Sequence, residues 1–156
     1  MYNHAKIEDR ALLMKQTELF VSDARSAVSL LANMSALLMQ YYNQANWLGF
    51  YLAQDDYLYL GPFQGKSACQ YIPWGKGVCG TAALEKKTQI VADVRKLTNH
   101  ITCSAESISE IVVPIIINDR VYGVLDIDAP LVGYFNETDK ELLEEIITII
   151  ASKLTT

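Results

Sequence analysis

The chain has 156 residues, a formal net charge of −5 and a hydrophobic content of 51 %. That length suits one domain with a buried core, residues 1–156, and the acidic balance with no Lys/Arg block argues against a nucleic-acid partner. No apolar run approaches the roughly 18–20 residues of a membrane span, MYNHAKIEDR lacks the basic-then-apolar pattern of a signal peptide, and the odd count of three cysteines is unlike a secreted disulfide framework, which reads as reduced thiols in the cytoplasm.

The first 45 residues read as helix. The stretch LLMKQTELFVSDARSAVSLLANMSALLMQYYN has no proline or glycine. Val28, Leu31, Ser35 and Leu38, with Leu30, Met34 and Leu37, make a broad apolar stripe at helical spacing. Ser22 or Asp23 is the expected cap of a second helix, because a short oxygen-bearing side chain can accept from the free first-turn amides. The methionines read as core filler rather than as ligands.

After Asn46 the texture changes. WLGFYLA, YLYLGPF and ACQYIPW are short aromatic or β-branched runs and read as strands, the first turning into the second at Gln54-Asp55-Asp56. Gly75 to Gly80 breaks the pattern, TAALEKK predicts a short helix and TQIVADV a further strand. Arg95 to Ser107 is polar, irregular and long enough to be a functional loop. EIVVPIII and RVYGVLDID read as a strand pair joined at Asn118-Asp119. NETDKELLEEIITIIASKL predicts a closing helix capped by Asn136, with Leu142, Ile146, Ile149 and Ile150 as its buried face. Helices at both ends of a mostly antiparallel sheet give an α+β layer architecture, with helices on one face and the other left for loops and a ligand.

The strand VYGVLDIDAP carries an anomaly. Side chains alternate along a strand, so Val121, Gly123, Leu125 and Ile127 face one way and Tyr122, Val124, Asp126 and Asp128 the other. Two aspartates then share one face of an otherwise apolar strand, where Asp is disfavoured. One reading is a solvated strand end; the other is a carboxylate pair lining a pocket, joined by Glu110 at the head of the paired strand. Crowded, partly buried carboxyls raise at least one pKa and supply a proton donor near neutral pH. Their ionised members can hold an ammonium group, so such a site suits a free amino acid.

Each cysteine has a bland reading as a small buried hydrophobe. Cys79 in GKGVCG sits where a glycine turn meets a helix, and helix amides there lower a thiol pKa, which makes it the nucleophile on chemistry alone. Cys103 lies in the polar loop TNHITCSAES, seven residues before Glu110. A zinc site from Cys69, Cys79, Cys103 and His100 is the competing idea, although no C-x2-C knuckle is present. His100 otherwise reads as a loop hydrogen-bonding residue.

NWLGFYL, LGPFQGKSAC, GKGVCG, SEIVVP and GVLDID, in this order, closely resemble the free methionine-(R)-sulfoxide reductase family, a catalytic branch of the GAF-domain fold. The specific features are the C-x9-C-x23-C spacing, the glutamate and LDID. The resemblance implies that Cys103 is the catalytic cysteine, Cys69 the partner with which it forms a disulfide, and Cys79 a third cysteine that assists thiol relay. It also implies that Glu110, Asp126 and Asp128 form an acidic substrate pocket with Trp47 and Tyr51 as its aromatic wall. These two residues lie four apart on one strand, hence on one face, and an apolar wall suits a methyl thioether tail. The chain departs from the family pattern at LTNH, Ser104 and Ala129, positions that bear on loop mobility and rate rather than on reaction type.

What the resemblance implies for function is thiol-dependent reduction of free methionine-(R)-sulfoxide, recycled by thioredoxin or a similar dithiol, with no metal or organic cofactor and a role in oxidative stress. A homodimer is compatible with it. The alternative from another class is a non-catalytic GAF module that senses a small ligand.

Overall fold

The computed structural model describes residues 9–101 and 105–154. Two helices open it, α1 (Arg10–Asp23) and α2 (Ala27–Tyr41). Each starts on a side-chain oxygen that satisfies a first-turn amide: Asp9 accepts from the Ala11 amide and Ser26 from the Ser29 amide. The cap of α2 is therefore Ser26, which corrects the reading of Ser22 or Asp23. Both of those residues belong to the last turn of α1, where the Ser22 hydroxyl donates back to the Leu19 carbonyl at 2.9 Å. A serine engaged with its own helix is not available to start the next one. Along α2, Leu30, Leu31, Met34, Ser35, Leu37 and Leu38 are buried, but Val28 is 68 % exposed. At about 100° per residue the buried arc is centred between Met34 and Leu38, and Val28 lies just past its edge.

The sheet among the described residues has six strands. They are β1 (Trp47–Gln54), β2 (Tyr57–Gly65), β3 (Tyr71–Pro73), β4 (Gln89–Val91), β5 (Ser109–Ile117) and β6 (Arg120–Ala129). Their spatial order is β3-β2-β1-β6-β5-β4, and each neighbouring pair is antiparallel. The hairpins turn where the sequence predicts, at Asp55 (φ 53°) and at Asn118 and Asp119 (φ 51° and 66°). Short polar side chains tolerate these left-handed conformations. The runs ACQYIPW and TQIVADV are strand only over three residues each, because they form the two edges and pair on one side alone. α3 (Gly77–Glu85) begins four residues before the predicted TAALEKK, and α4 (Glu137–Ala151) starts on the predicted Asn136 cap. There Asn136 and Asp139 exchange side-chain and backbone bonds in a capping box.

The two faces of the sheet carry different cores. Leu48, Phe50, Ile111, Leu125 and Ile127 meet α1, α2 and α4 on one face. On α4 the buried residues are Leu142, Leu143, Ile146, Ile147 and Ile150, while Ile149 is only half-buried. The opposite face carries Trp47, Tyr51, Val112 and Val124, and α3 packs on it through Val78, Cys79, Ala82 and Ala83. It is thus not left to loops alone. On β6 the predicted alternation holds from Gly123 to Asp128 and fails before it: Tyr122 packs on the helix side and Val121 on the α3 side. The cause is an irregularity in the ladder, where Ile115 pairs with Gly123 and Ile116 with Val121, so that Tyr122 has no opposite residue.

Candidate active site

The site grows out of the three central strands on the α3 side. Antiparallel register places Trp47 opposite Asp128, and Asp128 opposite Glu110. One ladder rung therefore carries an indole, a carboxyl and a second carboxyl across β1, β6 and β5. The next rung on the same face carries Gly49, Asp126 and Val112. A side chain at Gly49 would collide with Phe63, so the glycine lets the Phe63 ring reach Trp47 and stack on it with centroids 5.3 Å apart. Trp47 also stacks on Tyr51, at 5.8 Å. The predicted aromatic wall and the predicted acid trio are brought together.

Their electrostatics follow from burial. Glu110 is 8 % and Asp126 5 % exposed, and Asp128 is half-buried rather than a solvated strand end. Burial pushes all three carboxyls well above their usual range. Neighbouring charge adds to it, from Asp126 on Glu110, from Asp128 on Asp126 and from Glu110 on Asp128. The cluster keeps protons at pH values where free carboxyls have lost theirs. Asp126 Oδ1 is buried and has no hydrogen-bond partner among the described residues.

Cys79, the third residue of α3, is a free thiol, 4 % exposed, with Sγ 3.9 Å from Glu110 Oε2. Its position at a helix start predicts a lowered thiol pKa, and the structure reverses that. Burial, and then the carboxyls of Asp126, Glu110 and Asp128, push it well above the ordinary thiol value. A helix end carries about half a charge, which three adjoining carboxyls in a buried site outweigh. The same burial pushes the Tyr51 phenol up, so it stays a donor and holds the Cys69 carbonyl at 2.9 Å. Cys69 is half-buried and disulfide-bonded. Cys103 and Ser104 lie outside the described residues.

The loop that leads toward Cys103 is tied to the glycine turn. Asn99 accepts from the Gly77 amide through its carbonyl at 2.9 Å, and its side-chain amide donates to the Gly75 carbonyl at 2.9 Å. Gly75 and Gly77 have φ of 82° and 62°, so the shape of this turn requires glycine. Asn99 stands within LTNH, one of the departures from the family pattern, and supplies a side-chain tie there.

One cavity takes in Trp47, Tyr51, Cys79, Glu110, Asp126 and Asp128, with about 740 Å³ of atom-free space including its open mouth. Sequence reading missed Asn46, Lys66, Ile72, Glu106 and Ser107, which also line it. Lys66 and Glu106 form an ion pair of 2.8 Å at the mouth, and the Lys66 carbonyl accepts from the Trp47 indole at 3.1 Å. Asn46 stands inside NWLGFYL, Lys66 inside LGPFQGKSAC and Ile72 inside ACQYIPW, and Glu106 and Ser107 lie just before SEIVVP, but nothing local points their side chains at a site. His100 lines the cavity too. Among the described residues, Cys79, Glu110 and Asp126 place metal-ligating atoms within 4.8 Å of one another, and neither Cys69 nor His100 belongs to that group. No helix among the described residues is long and apolar enough to cross a membrane.

Residues 24–155 match the family model described as GAF domain. The chain is 42 % identical over 151 residues to the free methionine-R-sulfoxide reductase of Escherichia coli K12, covering 97 % of this chain and 92 % of that protein. It is 52 % identical over 128 residues to the enzyme of the same name from Saccharomyces cerevisiae, covering 77 % and 71 %. Among solved structures, the fRMsr of Staphylococcus aureus in complex with substrate superposes with a TM-score of 0.90 at 50 % identity, covering 97 % of this chain and 99 % of that one.

Proposed function

The chain belongs to the free methionine-R-sulfoxide reductase family of GAF-domain proteins, and we propose that it reduces free methionine-(R)-sulfoxide through a cysteine sulfenic acid and an intramolecular disulfide. The observation that carries this reading is the rung of Trp47, Asp128 and Glu110 beside Asp126 in one cavity. Protonated carboxyls stand next to an aromatic wall, which is what a polar sulfoxide bearing a methyl group requires. The substrate ammonium turns to the ionised member of the acid cluster and the methyl sulfoxide to Trp47 and Tyr51.

Cys103 thiolate attacks the sulfoxide sulfur while Glu110 gives its proton to the oxygen. The oxygen passes to Cys103. The substrate sulfur gains two electrons and leaves as methionine, and the cysteine sulfur is oxidised to sulfenic acid. Cys69 then attacks Cys103, releasing water and forming a disulfide. The disulfide-bonded state of Cys69, with Cys79 free, supports Cys69 as the resolver. The high thiol pKa of Cys79 argues in the same direction, leaving it a relay role. Thioredoxin or a similar dithiol in the cytoplasm restores the thiols by exchange.

The test is turnover of free methionine sulfoxide, its N-acetyl derivative and a sulfoxide-containing peptide, each as separate sulfur epimers. Acylation removes the charge that balances the acids, and leaving a buried charge unpaired costs roughly 3–5 kcal/mol. With about 1.4 kcal/mol per tenfold, the free R epimer should be preferred at least a hundredfold. Equal rates on the free amino acid and the peptide would sink the ammonium clamp. Absence of turnover on every substrate, with a reduced chain and excess dithiol, would sink the reductase reading itself.

A further inference from the structure

We propose that Cys79, Glu110 and Asp126 form a binding site for a zinc-class divalent cation, and that its occupancy excludes the sulfoxide; the exclusion alone rests on the function proposed above. The three ligating atoms lie within 4.8 Å of one another, and Cys79 Sγ is 3.9 Å from Glu110 Oε2. Tetrahedral zinc, with Zn–S of about 2.3 Å and Zn–O of about 2.0–2.2 Å, places sulfur and oxygen roughly 3.5 Å apart. Cys79 Sγ and Glu110 Oε2 have only to draw in by a few tenths of an ångström, and a pair at the 4.8 Å limit by about 1.3 Å. A second observation points to a ligand independently. Asp126 Oδ1 is a buried acceptor in the cavity wall with no hydrogen-bond partner among the described residues.

An ammonium group would satisfy that oxygen as well, and the free thiol beside it discriminates. Sulfur adds little to an N–H donor, whereas one thiolate and two carboxylates match a borderline-soft cation. Magnesium and calcium prefer all-oxygen shells with more ligands than this wall offers. The ligands come from α3, β5 and β6, so the ion would tie the helix to the sheet, with the cavity side left for water. On binding, the thiol proton and any carboxyl proton pass to solvent, since each ligand coordinates as its anion. Glu110 is then no longer a proton donor, and the cation occupies the oxygens the substrate needs.

The experiment titrates the reduced full chain with Cd2+ and Zn2+, in a Cys69→Ser/Cys103→Ser background so that the other thiols cannot bind. One Cd2+ per chain should appear with a thiolate-to-cadmium charge-transfer band, and Zn2+ should displace it. Adding Cys79→Ser should abolish the band. Asp126→Asn and Glu110→Gln should each weaken binding at least about tenfold, since even outer-shell changes cost 10–100-fold. Absence of the band from the Cys69→Ser/Cys103→Ser chain overturns the site, as does unchanged affinity in the carboxamide variants. Circular dichroism checks folding; if Cys79→Ser does not fold, the two carboxamide variants decide. Free methionine sulfoxide should shift the Cd2+ titration to higher concentration, and no shift overturns the exclusion. Cysteine-dependent Cd2+ binding in a chain whose wild-type form has no turnover would leave the metal site standing and sink the reductase reading. Turnover without Cd2+ binding would do the reverse.

Discussion

The two faces of β6 obey one backbone geometry and opposite chemistry. Leu125 and Ile127 pack under α1, α2 and α4 in a core without charge. Asp126 and Asp128, one residue along in each case, open into a cavity where burial, and then the charge of a neighbouring carboxyl, pushes their pKa values up. The helix face follows the ordinary rule that apolar area leaves water. The cavity face breaks the rule that buried charges are paired, which is destabilising unless a ligand or a proton completes the set. Stability therefore resides mainly on one face of the sheet and reactivity on the other, and substitutions should separate them.

The largest separation is expected at Cys103→Ser. It should abolish turnover while leaving the denaturant midpoint close to that of the parent chain. Near-parent turnover would remove Cys103 as the nucleophile. Leu125→Ala should do the opposite, lowering stability by about 2–5 kcal/mol for a large-to-small change in a filled core. Its turnover per folded molecule should stay near the parent value, measured well below the melting temperature. A comparable loss of turnover per folded molecule would mean that the two faces are coupled.

The pH response sharpens the contrast. The three carboxyls titrate in the ordinary range when unfolded and at higher pH when folded, so the native state binds more protons in between. Their contribution is fully present below the unfolded range, near pH 4, and is lost as pH rises toward the raised folded values. Glu110→Gln should flatten that decline in denaturant unfolding followed from about pH 5 to about pH 8, and should be the more stable chain at the upper end. Parallel profiles for the two chains would show that the cavity does not retain protons. The smallest effect lies far from the cavity: Ser26→Ala removes the cap of α2 and should cost about 1 kcal/mol with no change in substrate preference. A loss as small as that of Ser22→Ala would return the cap assignment to the sequence reading.

What the sequence by itself determined is whatever repeats locally. The two-residue period of GVLDID already separates Leu125 and Ile127 from Asp126 and Asp128, because a strand cannot place neighbours on one face. The turns at Asp55 and Asn118-Asp119 and the cap at Asn136 were legible for the same reason, each needing a particular side chain at one place. The resemblance added residue roles that no periodicity contains. Tertiary structure alone decided what depends on distant partners. The helix start of Cys79 suggests an activated thiol, and only its burial against Glu110 and Asp126, 31 and 47 positions away in the chain, raises the pKa instead. Likewise Tyr122 left its predicted face because β5 and β6 slip by one residue. Asn46 and Lys66 joined the cavity because strand pairing brought them there. Spacing is encoded locally; the electrostatic environment of a side chain is set by whatever the fold packs against it.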